Sequence, residues 1–163
     1  MKGFQILRSD FIRREILEEK DIFDEKVASS SKNRRMVYEE MFKRAEAMLK
    51  EGTGGLILDA TFFTQELRSR AAKLAQGASK PLVIAECVCT EKTSIKRILK
   101  RTKENYESNA LTRQAYLNNK KIFEPVDVDE LKRSYTDLPI IQLIIDTEFD
   151  DPPRWRVTAI EKR

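Results

Sequence analysis

Four short runs of the chain, residues 4–7, 56–58, 82–89 and 140–145, are apolar at nearly every consecutive position rather than at every second one. A strand that alternates apolar and polar side chains buries one face, whereas a strand that is apolar throughout must be covered on both. Between these runs the apolar residues fall at helical spacing instead. Phe11, Ile12, Ile16 and Leu17 follow the first run, and Val37, Met41, Ala45, Met48 and Leu49 precede the second. Leu67, Ala71 and Leu74 follow the second run, and Ile95, Ile98 and Leu99 the third. Strands alternating with helices, and buried on two faces, fold as a mainly parallel sheet between helical layers. The pattern predicts a three-layer α/β fold with about four strands, near residues 4–7, 56–60, 82–89 and 140–146, and residues 1–163 as a single domain.

Local signals agree with this partition. Ser30 or Ser31 is placed to cap a long helix that Gly52 stops, and Thr64 opens a second that Gly77 closes. Residues 90–103 and 110–121 are expected as further helices, and the polar residues 21–32 as a surface loop.

Composition removes several functional classes. A hydrophobic share of 40% beside a charged share of 36% suits a soluble globular chain, and no apolar run approaches the ~18 residues of a spanning helix. With no signal-peptide pattern behind Met1, the expected location is the cytoplasm. There is no histidine, which excludes Ser-His triads and zinc-histidine hydrolysis and leaves carboxylates, guanidinium groups and hydroxyls to do any chemistry. Cys87 and Cys89 stand on one side of the same strand, too close for an ordinary disulfide, and are expected as buried free thiols. The net charge of +4 comes from 31 basic residues interleaved with 27 acidic ones, without the basic tract that nucleic-acid binding would require.

Polar residues collect where the strands end. Ser9-Asp10, Asp59 with Thr61, Thr90, and Asp146-Thr147 all follow the carboxyl ends of runs. In open α/β sheets that edge binds ligands, although Ser, Thr and Asp also cap the helices that begin there. One such residue reads as a cap; four at one edge point to a site.

The segments Leu7-Arg8-Ser9-Asp10-Phe11-Ile12-Arg13, Leu56-Ile57-Leu58-Asp59-Ala60-Thr61-Phe62, and Arg97-Ile98-Leu99-Lys100-Arg101 through Phe123-Glu124-Pro125 together resemble the P-loop kinase-like family that includes polynucleotide-kinase and zeta-toxin relatives. The closest resemblance is to the kinase-like domain that follows an aminoglycoside-phosphotransferase-like domain in some bacterial proteins. The resemblance implies an ATP-dependent phosphotransferase acting on a small-molecule acceptor, with ATP and Mg as cofactors. It implies that Asp10 is catalytic, accepting or orienting the acceptor hydroxyl proton, and that Arg13, one turn later, holds an anionic part of the acceptor. Read as an ordinary helix-start carboxylate, Asp10 would instead be exposed and contribute little to stability. The resemblance further implies that Asp59 and Thr61 contact the acceptor or the magnesium shell. Arg97 and Arg101, four apart on one helix, would fold over the nucleotide phosphates as part of a lid near residues 97–125. Arg68 falls where this family is often basic.

One part of that family is not legible. A P-loop reads Gly-x-x-x-x-Gly-Lys-Ser/Thr, and none of the five glycines here precedes a lysine; Gly52, Gly54 and Gly55 are turn residues. Ser108-Asn109-Ala110 also departs from the family's usual Ser-Asp-Ala. The resemblance therefore implies that the chain begins at the second strand of the order 2-3-1-4-5, and that the central first strand, its loop and its helix come from another segment or from a P-loop-bearing partner chain. The leading expectation is a phosphotransferase domain with the acceptor side and lid, inactive alone. A non-catalytic binding or assembly module, and a truncated fragment of a larger kinase-like protein, are the alternatives.

Overall fold

The computed structural model describes residues 4–18, 22, 27, 30–52, 54–102, 108 and 110–163. Among them are five strands and six α-helices, an α/β fold that divides into two compact units, residues 1–61 with 100–115, and 62–99 with 116–163.

In the first unit β1 (Gln5–Arg8) runs straight into α1 (Ser9–Ile16), and α2 (Ser31–Lys50) leads to β2 (Leu56–Asp59). The strands pair in parallel, Gln5 with Leu56 through Arg8 with Asp59. Ser30 starts α2 by accepting a hydrogen bond from the Asn33 N–H at 3.3 Å. Gly52, at φ 81°, takes the left-handed conformation that ends a helix with least strain. At Gly55 a Cβ would meet the exposed Phe4 ring, which would have to swing aside. The core is one face of each helix: Ile12 of α1 and Val37, Tyr38, Met41, Phe42 and Ala45 of α2 are buried, and of the stripe expected on α2 Met48 and Leu49 are only partly so.

In the second unit come α3 (Gln65–Gly77), β3 (Leu82–Val88), α4 (Glu91–Leu99), the greater part of α5 (Arg113–Ile122), α6 (Val128–Ser134), β4 (Ile140–Asp146) and β5 (Arg156–Lys162). Thr64 caps α3 and Asp127 caps α6. β3 and β4 are parallel, β4 and β5 antiparallel with an irregularity between Ile144 and Ile145. Ala72 of α3 and Val128 and Leu131 of α6 pack with Leu138 and Ile140, and Leu82 and Ile84 of β3 close this core. Val83, Val157 and Ile160 point to the opposite face of the sheet and are each about half exposed.

The four strands expected from the sequence form at 5–8, 56–59, 82–88 and 140–146. They do not form one mainly parallel sheet; β1 and β2 make a parallel pair, and β3, β4 and β5 a mixed sheet. β5 was not expected, since Arg156, Thr158, Glu161 and Lys162 break its apolar character. Neither Cys87 nor Cys89 forms a disulfide, but neither is fully buried: Cys89 is partly exposed, and Cys87 is exposed because it shares the half-exposed face of β3 with Val83. The expected helix over residues 90–103 ends at Leu99, and of the surface loop at 21–32 residues 21, 23–26 and 28–29 lie outside the described residues.

Candidate functional site

The carboxyl ends of β1 and β2 bring two carboxylates to one edge of the parallel pair. β2 ends on Asp59, which stands opposite Arg8 in the ladder, and Asp10 is the second residue of the helix that β1 enters directly. Arg8 Nε lies 3.1 Å from Asp59 Oδ2 with both side chains more than half exposed, a pair that orients Asp59 while adding little stability. Thr61 follows β2 and is exposed.

Asp10 is in a different environment, and the sequence-based picture of an exposed carboxylate does not hold. Its side chain is 24% exposed, and its Oδ1 accepts a hydrogen bond from Arg13 Nη1 at 2.5 Å. Arg13 is nine-tenths buried, since the spacing of three puts it on the face of α1 that carries Ile12 inward. Burial raises the Asp10 pKa above the ordinary carboxylate value; the positive charge of Arg13, a hydrogen bond from the Ser108 hydroxyl and the charge of Arg101 oppose the rise, and Asp59 adds to it. Arg101 is further tied by a 3.3 Å bond from Nη1 to the Ala110 carbonyl. The first unit therefore holds a carboxylate of heightened proton affinity among guanidinium groups, which suits taking a proton beside an anion.

Arg34 belongs to this cluster and was missed from the sequence. It is half-buried one turn before Val37 and Tyr38, on the stripe of α2 that packs against α1. Burial, then the nearby charge of Arg13, lowers its pKa, with Tyr38 acting against the shift. A lone arginine in line with an apolar stripe was the available signal.

Arg97 and Arg101 are not on one helix face, because α4 stops at Leu99 and Arg101 lies beyond it. Arg97 belongs to the second unit, where its Nε bonds Asp150 at 2.9 Å and its Nη2 donates to the carbonyls of Thr147 (2.6 Å) and Phe149 (2.8 Å). That guanidinium organises the turn after β4. Arg68 does similar work: it is buried, donates to the carbonyls of Glu124 and Pro125 at 2.6 and 2.9 Å, and lies over the Phe123 ring. Thr90 and Asp146-Thr147, also expected at strand ends, meet there: the Thr147 hydroxyl donates to the Val88 carbonyl, and the Asp146 carboxylate accepts from the Glu148 N–H.

Among the described residues no group of three or more acidic or cysteine side chains is arranged to hold a metal ion. Asp10 and Asp59 each face an arginine, Arg13 and Arg8.

Residues 1–126 match the model of a family described as AAA domain, a P-loop NTPase-like kinase family. The chain belongs to this AAA domain family. The match runs from β1 to the segment after α5, so the whole carboxylate and arginine cluster of the first unit lies inside it, while α6, β4 and β5 lie beyond. No curated protein matches the chain. Membership of the AAA domain family carries a nucleotide-binding, kinase-like function, and such families generally use ATP and Mg. No described helix is long and apolar enough to cross a membrane.

Proposed function

We propose that the chain is the acceptor side and lid of an ATP-dependent small-molecule kinase, working as one cytoplasmic domain over residues 1–163 when a P-loop is supplied by another segment or chain. The supporting observation is the largely buried Asp10–Arg13 pair at the carboxyl end of β1, next to Asp59 at the end of β2. Bound Mg-ATP would supply the phosphoryl group and its charge neutralisation. The Asp10 carboxylate orients the acceptor hydroxyl and takes its proton as the oxygen attacks, a role for which raised proton affinity is suited. Arg13 holds an anionic part of the acceptor, Asp59 and Thr61 contact the acceptor, and Arg101 lies over the phosphates as part of a lid at about 97–125. Arg97 supports that lid by fixing the 147–150 turn.

In this reading the P-loop segment contributes a strand along the open edge of β2 and so completes a parallel, three-layer fold. The β1–β2 pair suits such an addition: Leu56-Ile57-Leu58 has the composition of an inner strand, yet Ile57 and its ladder partner Ile6, on one face of the pair, are 44% and 53% exposed, a face that the helix of the same segment would cover. A second reading, a non-catalytic binding or assembly module, is favoured by the lack of any glycine-lysine step in the sequence. A fragment of a larger kinase-like protein would share the features of the first reading. The readings separate when the chain is mixed with a P-loop segment of the same family, Mg-ATP and a library of hydroxyl acceptors. The kinase reading expects transfer that falls about 100-fold or more in Asp10→Asn. Transfer that survives in Asp10→Asn removes Asp10 from its role, and no transfer to any acceptor favours the binding module.

A further inference from the structure

β5 stands at the edge of the second sheet, whose order is β3-β4-β5, and six of its seven residues are exposed. An edge strand presents a row of backbone N–H and C=O groups to any strand that can match it. Lysine and a bulge usually discourage such matching, and β5 has both, in Lys162 and in the irregularity that leaves Thr158 out of the β4 register. The same bulge sorts the side chains of β5. Val157, Ile160 and Lys162 lie opposite Ile145, Leu143 and Ile141, on the face turned away from the core, the face that Val83 also occupies. Arg156, Ala159 and Glu161 lie opposite Asp146, Ile144 and Gln142, on the inner face.

Two copies of β5 related by a twofold axis perpendicular to the sheet run antiparallel, and residues opposite each other share a face. With Thr158 of one copy opposite Ala159 of the other, Val157 meets Ile160 on the outer face and Arg156 meets Glu161 on the inner one, each pair occurring twice by symmetry. Apolar and opposite-charge cross-strand pairs are the ones that stabilise a sheet. Neighbouring registers fail. A shift of one residue either way sets an inner side chain against an outer one. A shift of two sets Arg156 opposite Arg163 or, in the other direction, carries Lys162 and Arg163 against Pro153 and Pro152, which have no N–H to pair. Glu161 accepts from Arg163 of its own chain through Oε1, and a carboxylate has a second oxygen for another guanidinium.

We infer that β5 is a self-association edge: a second copy of this chain pairs with it in the Arg156–Glu161 register, joining the two three-stranded sheets into one of six. The edge lies outside the residues matched to the family and wholly within the second unit, so it is independent of the kinase reading. A contact made by one strand pair is small, and the expected dissociation constant is on the order of 10–100 μM.

Sedimentation of the purified full chain from about 1 μM to 1 mM tests this, with the emission of Trp155, the single tryptophan and next to β5, as a second readout. Wild type is expected to pass from monomer to dimer, with the partly exposed Trp155 shifting to the blue. Arg156→Glu and Glu161→Arg each set like charges opposite one another twice, and each is expected to dissociate about tenfold more readily or worse. Mixed in equal amounts, the two variants match at both pairs and are expected to form a heterodimer of about wild-type strength, a rescue that a merely structural arginine or glutamate would not give. Circular dichroism checks that each variant is folded. Should Arg156→Glu fail to fold with Asp146 opposite it in the ladder, Ile160→Lys, at an exposed outer position, takes its place and is expected to be monomeric. A wild type that stays monomeric at about 1 mM, a dimer that both charge reversals leave unchanged, or a mixture that associates no better than its components would overturn the inference.

Discussion

Asp10 shows how a single side chain carries opposite demands. Burial pushes its pKa up, and Arg13, Ser108 and Arg101 pull it back without cancelling the rise. Because the folded value stands above the unfolded one, the ionised carboxylate opposes folding above the folded pKa, and stability is gained as pH falls through it. Asp10→Asn, which removes that charge and keeps the shape, is therefore expected to be as stable as wild type at neutral pH or more stable by up to about 1 kcal/mol. The difference should shrink as the pH is lowered into the range where Asp10 itself is protonated. Urea unfolding at a series of pH values measures this, and a loss of several kcal/mol at neutral pH would mean that pairing with Arg13 dominates. The sequence showed Asp10 and Arg13 as a spaced pair at a strand end, but not their burial. Ser108 and Arg101, which help set that environment, lie some ninety residues away in sequence.

At the level of elements, periodicity was the reliable signal and boundaries were not. Val37, Met41 and Ala45 are fully buried because residues four apart stack on one helix face, which any helix over that stretch enforces. The Arg97–Arg101 spacing misled because it assumed that α4 continues past Leu99. What stabilises the other end of α4 was not legible at all: the Glu148 carboxylate, far along the chain, accepts hydrogen bonds from the Thr90 N–H at 2.7 Å and from the Thr90 and Thr93 hydroxyls at 3.0 and 2.5 Å. Those contacts, the Thr90 amide first, hold the Glu148 pKa below its ordinary value. A depressed folded pKa means that the stabilisation is present above the unfolded value, about 4.3, and is lost as pH falls through the folded one. Glu148→Gln is expected to lower Tm at neutral pH and to converge on wild type under acid. A constant gap across that range would show that Glu148 acts by shape alone. β5 escaped notice for a related reason: a strand whose outer positions carry Arg, Thr, Glu and Lys has the composition of a solvated edge, and its pairing with β4 is set by partners outside its own residues.

For the whole molecule, the alternation of inner-type strands with helices made the α/β class legible, and the motif order made the family legible; the division into two sheets was not. Runs such as Leu56–Leu58 report that a strand expects neighbours, but not whether those neighbours lie in the same 163 residues. The proposed function takes its phosphate cradle from a supplied P-loop, because an ordinary P-loop brings several backbone N–H donors, a helix N-terminus and a lysine to the triphosphate. Arg101 and Arg13 are few substitutes, and Arg97 is engaged by the 147–150 turn. Calorimetry with Mg-ATP at physiological salt tests this most directly. The expected affinity for the chain alone is on the order of millimolar at best, about 4 kcal/mol, tightening when a separately expressed P-loop segment is added and weakening again in Arg101→Ala. Micromolar binding of Mg-ATP by the chain alone, or phosphoryl transfer without any added segment, would contradict it.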